Sequence, residues 1–187
     1  MKGRRIWTWI LCAALLVLLL AGCGGGRDLS PEETALCGRW AYSHEPDTAV
    51  LTLKKDGSAV YEKTGYTFSS DGTFLQLENG KGDPLLLRYV LEDGEMTLYI
   101  PSEYRCEGTP EGLVGLWQCE PKNWSYEFSA EGTFREDGVF TGRYTADEEN
   151  GTITLQYPDY FEDTVCHYTL EGDSLTVEYP WHMVPMG

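Results

Sequence analysis

The side chains of this sequence able to do chemistry are its histidines, cysteines and acids, and their spacing decides which reactions are open to it. Hydrolysis by a side-chain nucleophile needs that nucleophile, a base and an orienting group brought together. The imidazole bases are His44, His167 and His182, and no Gly-x-Ser-x-Gly elbow accompanies them. His44 lies in the polar stretch 43–47, His167 shares parity with outward Val165 and Thr169, and His182 lies in the C-terminal tail. All three read as solvated surface residues. Paired carboxylates can cut a glycosidic bond, but with 30 acids in the chain pairs are inevitable and carry no signal. Glu148, Glu149 and the acids of 159–163 have the composition of a cation site. The run Asp147-Glu148-Glu149-Asn150-Gly151 nevertheless lacks the alternating ligands and terminal glutamate of an EF-hand loop. Turn chemistry accounts for Asn150-Gly151 without a metal. The expectation is a non-enzyme with no catalytic residue, no metal site and no cofactor.

Cysteine carries the firmest chemical signal. Lys2, Arg4 and Arg5 form a basic head, residues 6–21 contain one polar side chain, Thr8, and Leu20-Ala21-Gly22-Cys23 follows. A basic head, an apolar run and small residues before a cut describe a secretory signal peptide. The run is also short of the roughly 20 apolar residues of a spanning helix. Leu20-Ala21-Gly22-Cys23 resembles the lipobox of bacterial lipoproteins, which implies cleavage before Cys23 and a diacylglyceryl group on its sulfur. Two acyl chains give the two signals that stable anchoring needs. The implied location is extracytoplasmic, on the cell surface. Residues 1–22 are thus expected to be signal peptide, and 23–35 the lipidated cysteine and a glycine-rich flexible tether.

Losing the leader removes three positive charges and takes the formal net charge from −16 to −19. Such a surface excludes nucleic acid, whose binding depends on Lys and Arg neutralising phosphates. It also disfavours adhesion to anionic headgroups and leaves the membrane contact to the lipid. Four cysteines remain, Cys37, Cys106, Cys119 and Cys166, far apart and without a CxxC pair. In an exported domain that pattern favours disulfides over zinc.

The elements that position these residues come in two copies. Leu36-Cys37-Gly38-Arg39-Trp40 recurs as Leu113-Val114-Gly115-Leu116-Trp117, and Leu51-Thr52-Leu53 as Tyr126-Glu127-Phe128. Thr64-Gly65 and Tyr66 recur as Thr141-Gly142 and Tyr144. Tyr89-Val90-Leu91-Glu92 and Met96-Thr97-Leu98 recur as Tyr168-Thr169-Leu170-Glu171 and Leu175-Thr176-Val177. One block order, with shifts drifting only from 75 to 79, reads as a duplication. Apolar residues alternate with polar ones at period two, the mark of half-buried strands. Asp56-Gly57, Asp71-Gly72, Asp93-Gly94, Glu131-Gly132, Asn150-Gly151 and Gly172-Asp173 punctuate them as hairpin turns. The expected fold is all-β: two tandem antiparallel meanders closing into small barrels, over 36–107 and over 108–187 with a C-terminal tail. Whether the copies share one barrel or form two stays open. Ser30-Pro31-Glu32-Glu33 is a capping box with proline at the first helical position, and Thr109-Pro110-Glu111 stands at the matching place in copy two.

A helical turn leading into Gly38-Arg39-Trp40, and Gly115-Leu116-Trp117 in the second copy, resembles the opening of lipocalin and related calycin barrels. That resemblance implies a tryptophan closing one barrel end and a cavity for small apolar ligands. Each copy, at roughly 70–75 residues and about six strands, falls short of an eight-stranded lipocalin. The pair also resembles small lipocalin-like domains of unknown function in bacterial lipoproteins.

The repeat aligns Cys119 with Tyr42 and Cys166 with Leu87, so both cysteines should point inward. A Cys119–Cys166 bridge in copy two follows as an expectation, with Cys37 and Cys106 bracketing copy one. Trp40 and Trp117 belong to the cores. Trp124, in the Pro121-Lys122-Asn123-Trp124 loop, and Trp181, in the tail, either pack over barrel ends or form a contact patch. The functional expectation is a lipid-anchored, non-catalytic binding or interaction module. Its partner would be a small apolar molecule, a glycan or another envelope protein; the alternative is an accessory lipoprotein that binds nothing.

Overall fold

Short alternating segments between turn residues give the chain its strands. A computed structural model describes residues 27–158 and 161–187; the signal peptide and the lipidation site at Cys23 lie outside them. One helix, α1 (Pro31–Leu36), precedes seven strands: β1 (Gly38–Tyr42), β2 (Leu51–Leu53), β3 (Ser58–Tyr61), β4 (Thr64–Ser70), β5 (Phe74–Glu78), β6 (Leu85–Glu92) and β7 (Glu95–Cys106). Seven more follow: β8 (Gly115–Cys119), β9 (Trp124–Phe128), β10 (Thr133–Glu136), β11 (Phe140–Asp147), β12 (Thr152–Gln156), β13 (Thr164–Glu171) and β14 (Ser174–Met186). All six expected turn pairs fall between consecutive strands. Two further turns lie outside that expected set. Glu62-Lys63 joins β3 to β4 and Asp137-Gly138 lies in the 137–139 turn between β10 and β11, each of these four residues at the positive φ that the centre of a type I′ turn requires.

The fourteen strands form one closed antiparallel sheet, and an additional pairing of β7 with β14 runs across it. That ribbon divides the sheet into two rings. The first contains β1 to β6, the N-terminal half of β7 and the C-terminal half of β14, which pairs β1 through Tyr42↔Met183 and Arg39↔Met186. The second contains β8 to β13, the N-terminal half of β14 and the C-terminal half of β7, which pairs β8 through Cys106↔Trp117. Each ring thus has eight strands, although neither half of the chain supplies eight. Residues 179–186 are wall of the first barrel and not a tail. A strand edge left open there would present unpaired backbone groups, and the exchange removes it.

Each ring encloses its own core. Trp40, Leu51, Leu75, Leu87, Leu98 and Met183 are buried in the first, and Trp117, Phe128, Phe134, Leu155, Cys166 and Leu175 in the second. The two tryptophans make the same contact: Trp40 Nε1 donates to the Leu36 carbonyl at 2.9 Å and Trp117 Nε1 to that of Leu113 at 2.7 Å. An indole N–H buried without an acceptor would cost free energy, so this bond satisfies each indole inside its core.

Residues 27–35 are docked, in contrast to the expected tether. Arg27 donates to the Phe68 carbonyl at 2.6 Å and to Glu33 at 2.7 Å. The Ser30 capping box is present on α1. Before β8 no helix forms: Gly112 is at positive φ, and a short bridge joins Glu111 to Val114.

No disulfide joins the cysteines, in contrast to the expected bridges: Cys37, Cys106, Cys119 and Cys166 are free thiols. Cys119 and Cys166 are both buried in the second core, as their parity indicated. They sit on β8 and β13, however, with β7 and β14 between them in the ring. Strand neighbours lie about 4.8 Å apart, so three steps exceed the roughly 7 Å Cα separation a disulfide spans. Cys37 packs against the first core and Cys106 against the second, so they do not bracket one barrel.

Candidate ligand-binding site

The ribbon sets up a difference between the barrels. Along β7 the inward series runs Met96, Leu98, Ile100, Ser102, Tyr104; along β14 it runs Leu175, Val177, Tyr179, Trp181, Met183. The shift of 79 residues that relates the two series carries the pair Leu98↔Trp181 onto Val177↔Ser102 and leaves Ile100↔Tyr179 on itself. The ribbon is therefore two-fold about that pair. The two-fold relates Ser102 on β7 to Trp181 on β14, and both line one space beside the ribbon. Likewise Tyr42 on β1 has Cys119 as its counterpart on β8. Cys119 is buried in the second core, whereas Tyr42 lines that space with Trp181 and Ser102.

That space is a cavity of about 710 Å³ opening beside the ribbon. Its floor is formed by Ser102, Tyr104 and Tyr126, all buried. Val177 and Tyr179 of β14 and Phe140 of β11 line its walls, and Tyr157 and Phe161 extend them. Phe161 packs edge-on to Phe140 at 5.3 Å and to Tyr157 at 5.5 Å. Trp124 stands at the rim, 41% exposed. Trp181, Tyr42 and Glu62 reach it from the first barrel. Trp181 is held by Tyr42 at 5.1 Å and Tyr179 at 5.8 Å, and His44 stacks on Tyr42 at 5.4 Å. Trp124 and Trp181, far apart in the chain, are therefore brought to one cavity. His44 belongs to the aromatic cluster at its edge, while His182 is exposed on β14 within reach of Thr97 Oγ1 and His167 packs edge-on to Tyr99.

Polar groups enter this aromatic lining at few points. Glu136 accepts from Tyr126 Oη at 2.9 Å on one oxygen and from Tyr157 Oη at 2.7 Å on the other. Burial, then the charge of Glu136, pushes both phenols above the ordinary tyrosine range, so they stay protonated donors. Burial likewise raises Tyr104 and Tyr179 and pushes the Cys166 thiol up to about 12, which keeps it inert as a nucleophile. Across the site, the 3₁₀ turn Glu120–Lys122 lifts Lys122 over the Trp124 ring, 4.5 Å from its centroid. The same ammonium donates to Ser102 Oγ at 2.9 Å. Asp137 accepts from the Ser125 amide at 2.6 Å, which fixes the neighbouring turn.

No nucleophile–base pair converges here, and among the described residues no group of three or more His, Cys, Asp or Glu is placed to hold a metal ion. The arrangement can enclose a small molecule, stack its faces and satisfy a few polar atoms. Sequence reading identified the two tryptophans as one possible patch. It missed Ser102, Glu136 and Lys122, whose single signal was a small residue set against Trp181 in the repeat alignment. No protein-family model, no curated protein and no solved structure matches this chain.

Proposed function

We propose that this protein is a lipid-anchored, extracytoplasmic binding module that carries a small molecule in the cavity of its second barrel. The observation that carries this reading is the cavity itself: about 710 Å³, within the range of roughly 300–1,000 Å³ typical of small-molecule sites. Aromatic walls with a few polar groups fit a ligand that is stacked first and oriented second. A spacer that binds nothing would have no use for such a space, since filled cores are the more stable arrangement. The leader ending in Leu20-Ala21-Gly22-Cys23 supports the anchor on Cys23 and the location outside the membrane. The lipocalin-like opening at Gly38 and Trp40 supports the same class of function.

Native mass spectrometry of the full chain, extracted from its membrane in a non-ionic detergent, tests the reading. The expected spectrum shows a lipidated protein with a bound small-molecule mass that is absent from Ser102→Trp, which fills the cavity with the ring found at the related position. A folded wild-type protein without bound mass, and with the same uptake of an apolar dye as Ser102→Trp, would sink it. Cys23→Ala is expected to lose the acyl mass and release the protein from the membrane.

A further inference from the structure

The charge of the cavity narrows the ligand class, an inference that rests on the binding reading above. Three carboxylates, those of Glu62, Glu136 and Asp137, line the space against one ammonium, that of Lys122. Glu136 is the one held among the rings, since its two oxygens accept from Tyr126 and Tyr157. Hydrogen bonds from neutral phenols hold that charge without cancelling it, and no Lys or Arg pairs with it among the described residues. The same field is felt by the phenols, where Glu136 is the largest charge acting on Tyr126 and Tyr157 after burial.

The rings point the same way. An aromatic face is the negative pole of a quadrupole, and a cation within about 6 Å of it is stabilised, more so when desolvated. The rim already shows this contact, made by the protein's own ammonium over Trp124 at 4.5 Å. An anionic ligand would meet three like charges inside a surface of net −16. We infer that the cavity takes a small organic cation, an amine or quaternary ammonium, with its charge among the tyrosine faces beside Glu136. Lys122, whose ammonium lies over Trp124 and donates to Ser102, then competes with the ligand inside the cavity and opposes it by charge.

Calorimetric titration of the full chain in non-ionic detergent separates the possibilities with three probes of one shape: choline, its uncharged isostere 3,3-dimethylbutan-1-ol, and the anion 3,3-dimethylbutanoate. Choline is expected to bind about tenfold more tightly than the alcohol, as a desolvated cation–π site would give, and the anion more weakly than either. Glu136→Gln should lower choline affinity about tenfold and leave the alcohol unchanged. Lys122→Met, on an exposed turn outside both cores, should raise choline affinity several-fold. Equal binding of choline and alcohol, tightest binding of the anion, or weaker choline binding by Lys122→Met would each overturn the inference while leaving a binding cavity. Failure of all three probes would also overturn it, and the native mass measurement then decides separately whether the cavity binds anything.

Discussion

Gly142 on β11 and Gly65 on β4 occupy related places in the two halves, yet their surroundings differ. A Cβ on Gly142 would run into the Gln156 carbonyl and the Phe134 ring, whereas one on Gly65 would meet nothing within 4 Å. Neither glycine is at positive φ, so the requirement at 142 is space and not backbone conformation. Gly142→Ala is therefore expected to cost about 1–3 kcal/mol, the usual penalty of overpacking. Gly65→Ala should stay within about 0.5 kcal/mol of wild type, as surface substitutions do. Urea denaturation of both variants checks the pair, and equal effects would refute it. The inward orientation of Cys119 and Cys166 was legible from strand parity at the same scale. Their separation was not, because parity gives the face of a strand and says nothing of its place in a ring.

Among the elements, α1 shows how a local signal gains a tertiary role. Ser30, Pro31 and Glu33 specify its start, but the Glu33 carboxylate, 3% exposed, also accepts the Ser70 amide of β4 at 3.2 Å and the guanidinium of Arg27. Burial raises its pKa, and the hydrogen bonds from Ser30, Arg27 and Ser70 overcome this and hold it below the usual carboxylate range. A lowered folded pKa means stability that is present above the unfolded value and lost as the group takes up a proton. Wild-type stability relative to Glu33→Gln should therefore be constant at neutral pH. It should shrink as pH falls below about 4.5 through the folded pKa, and thermal midpoints measured between pH 7 and pH 2.5 check this. A gap that widens on acidification would contradict it. The segment before β8 has no such element: Gly112 follows Pro110-Glu111 where Glu33 follows Pro31-Glu32, and the second half of a capping box is missing.

For the whole molecule, the shared ribbon governs cooperativity. β7 and β14 each contribute wall to both barrels, so neither barrel closes without residues from the other half. The full chain is expected to unfold in a single transition with equal calorimetric and van't Hoff enthalpies. A chain ending at residue 107 should not fold as a monomer, since its first ring would lack the Met183–Met186 edge that pairs β1. Scanning calorimetry, and sedimentation of the shortened chain, test this; two separate transitions or a folded monomeric half would refute it.

The sequence by itself determined the features encoded within a few residues of one another. Its alternation set the strands and their buried faces, its Asp-Gly and Asn-Gly pairs set most turns, and Ser30 with Glu33 set the helix. Its leader set the expectation for Cys23, beyond the described residues. Tertiary structure alone decided that 179–186 completes the first barrel, that the four thiols are kept apart, and that Ser102 faces a cavity reached by Trp124 and Trp181. Alternation and turn chemistry are local properties of the backbone. Ring closure depends on pairing strands some eighty residues apart, for which a single strand's pattern carries no address.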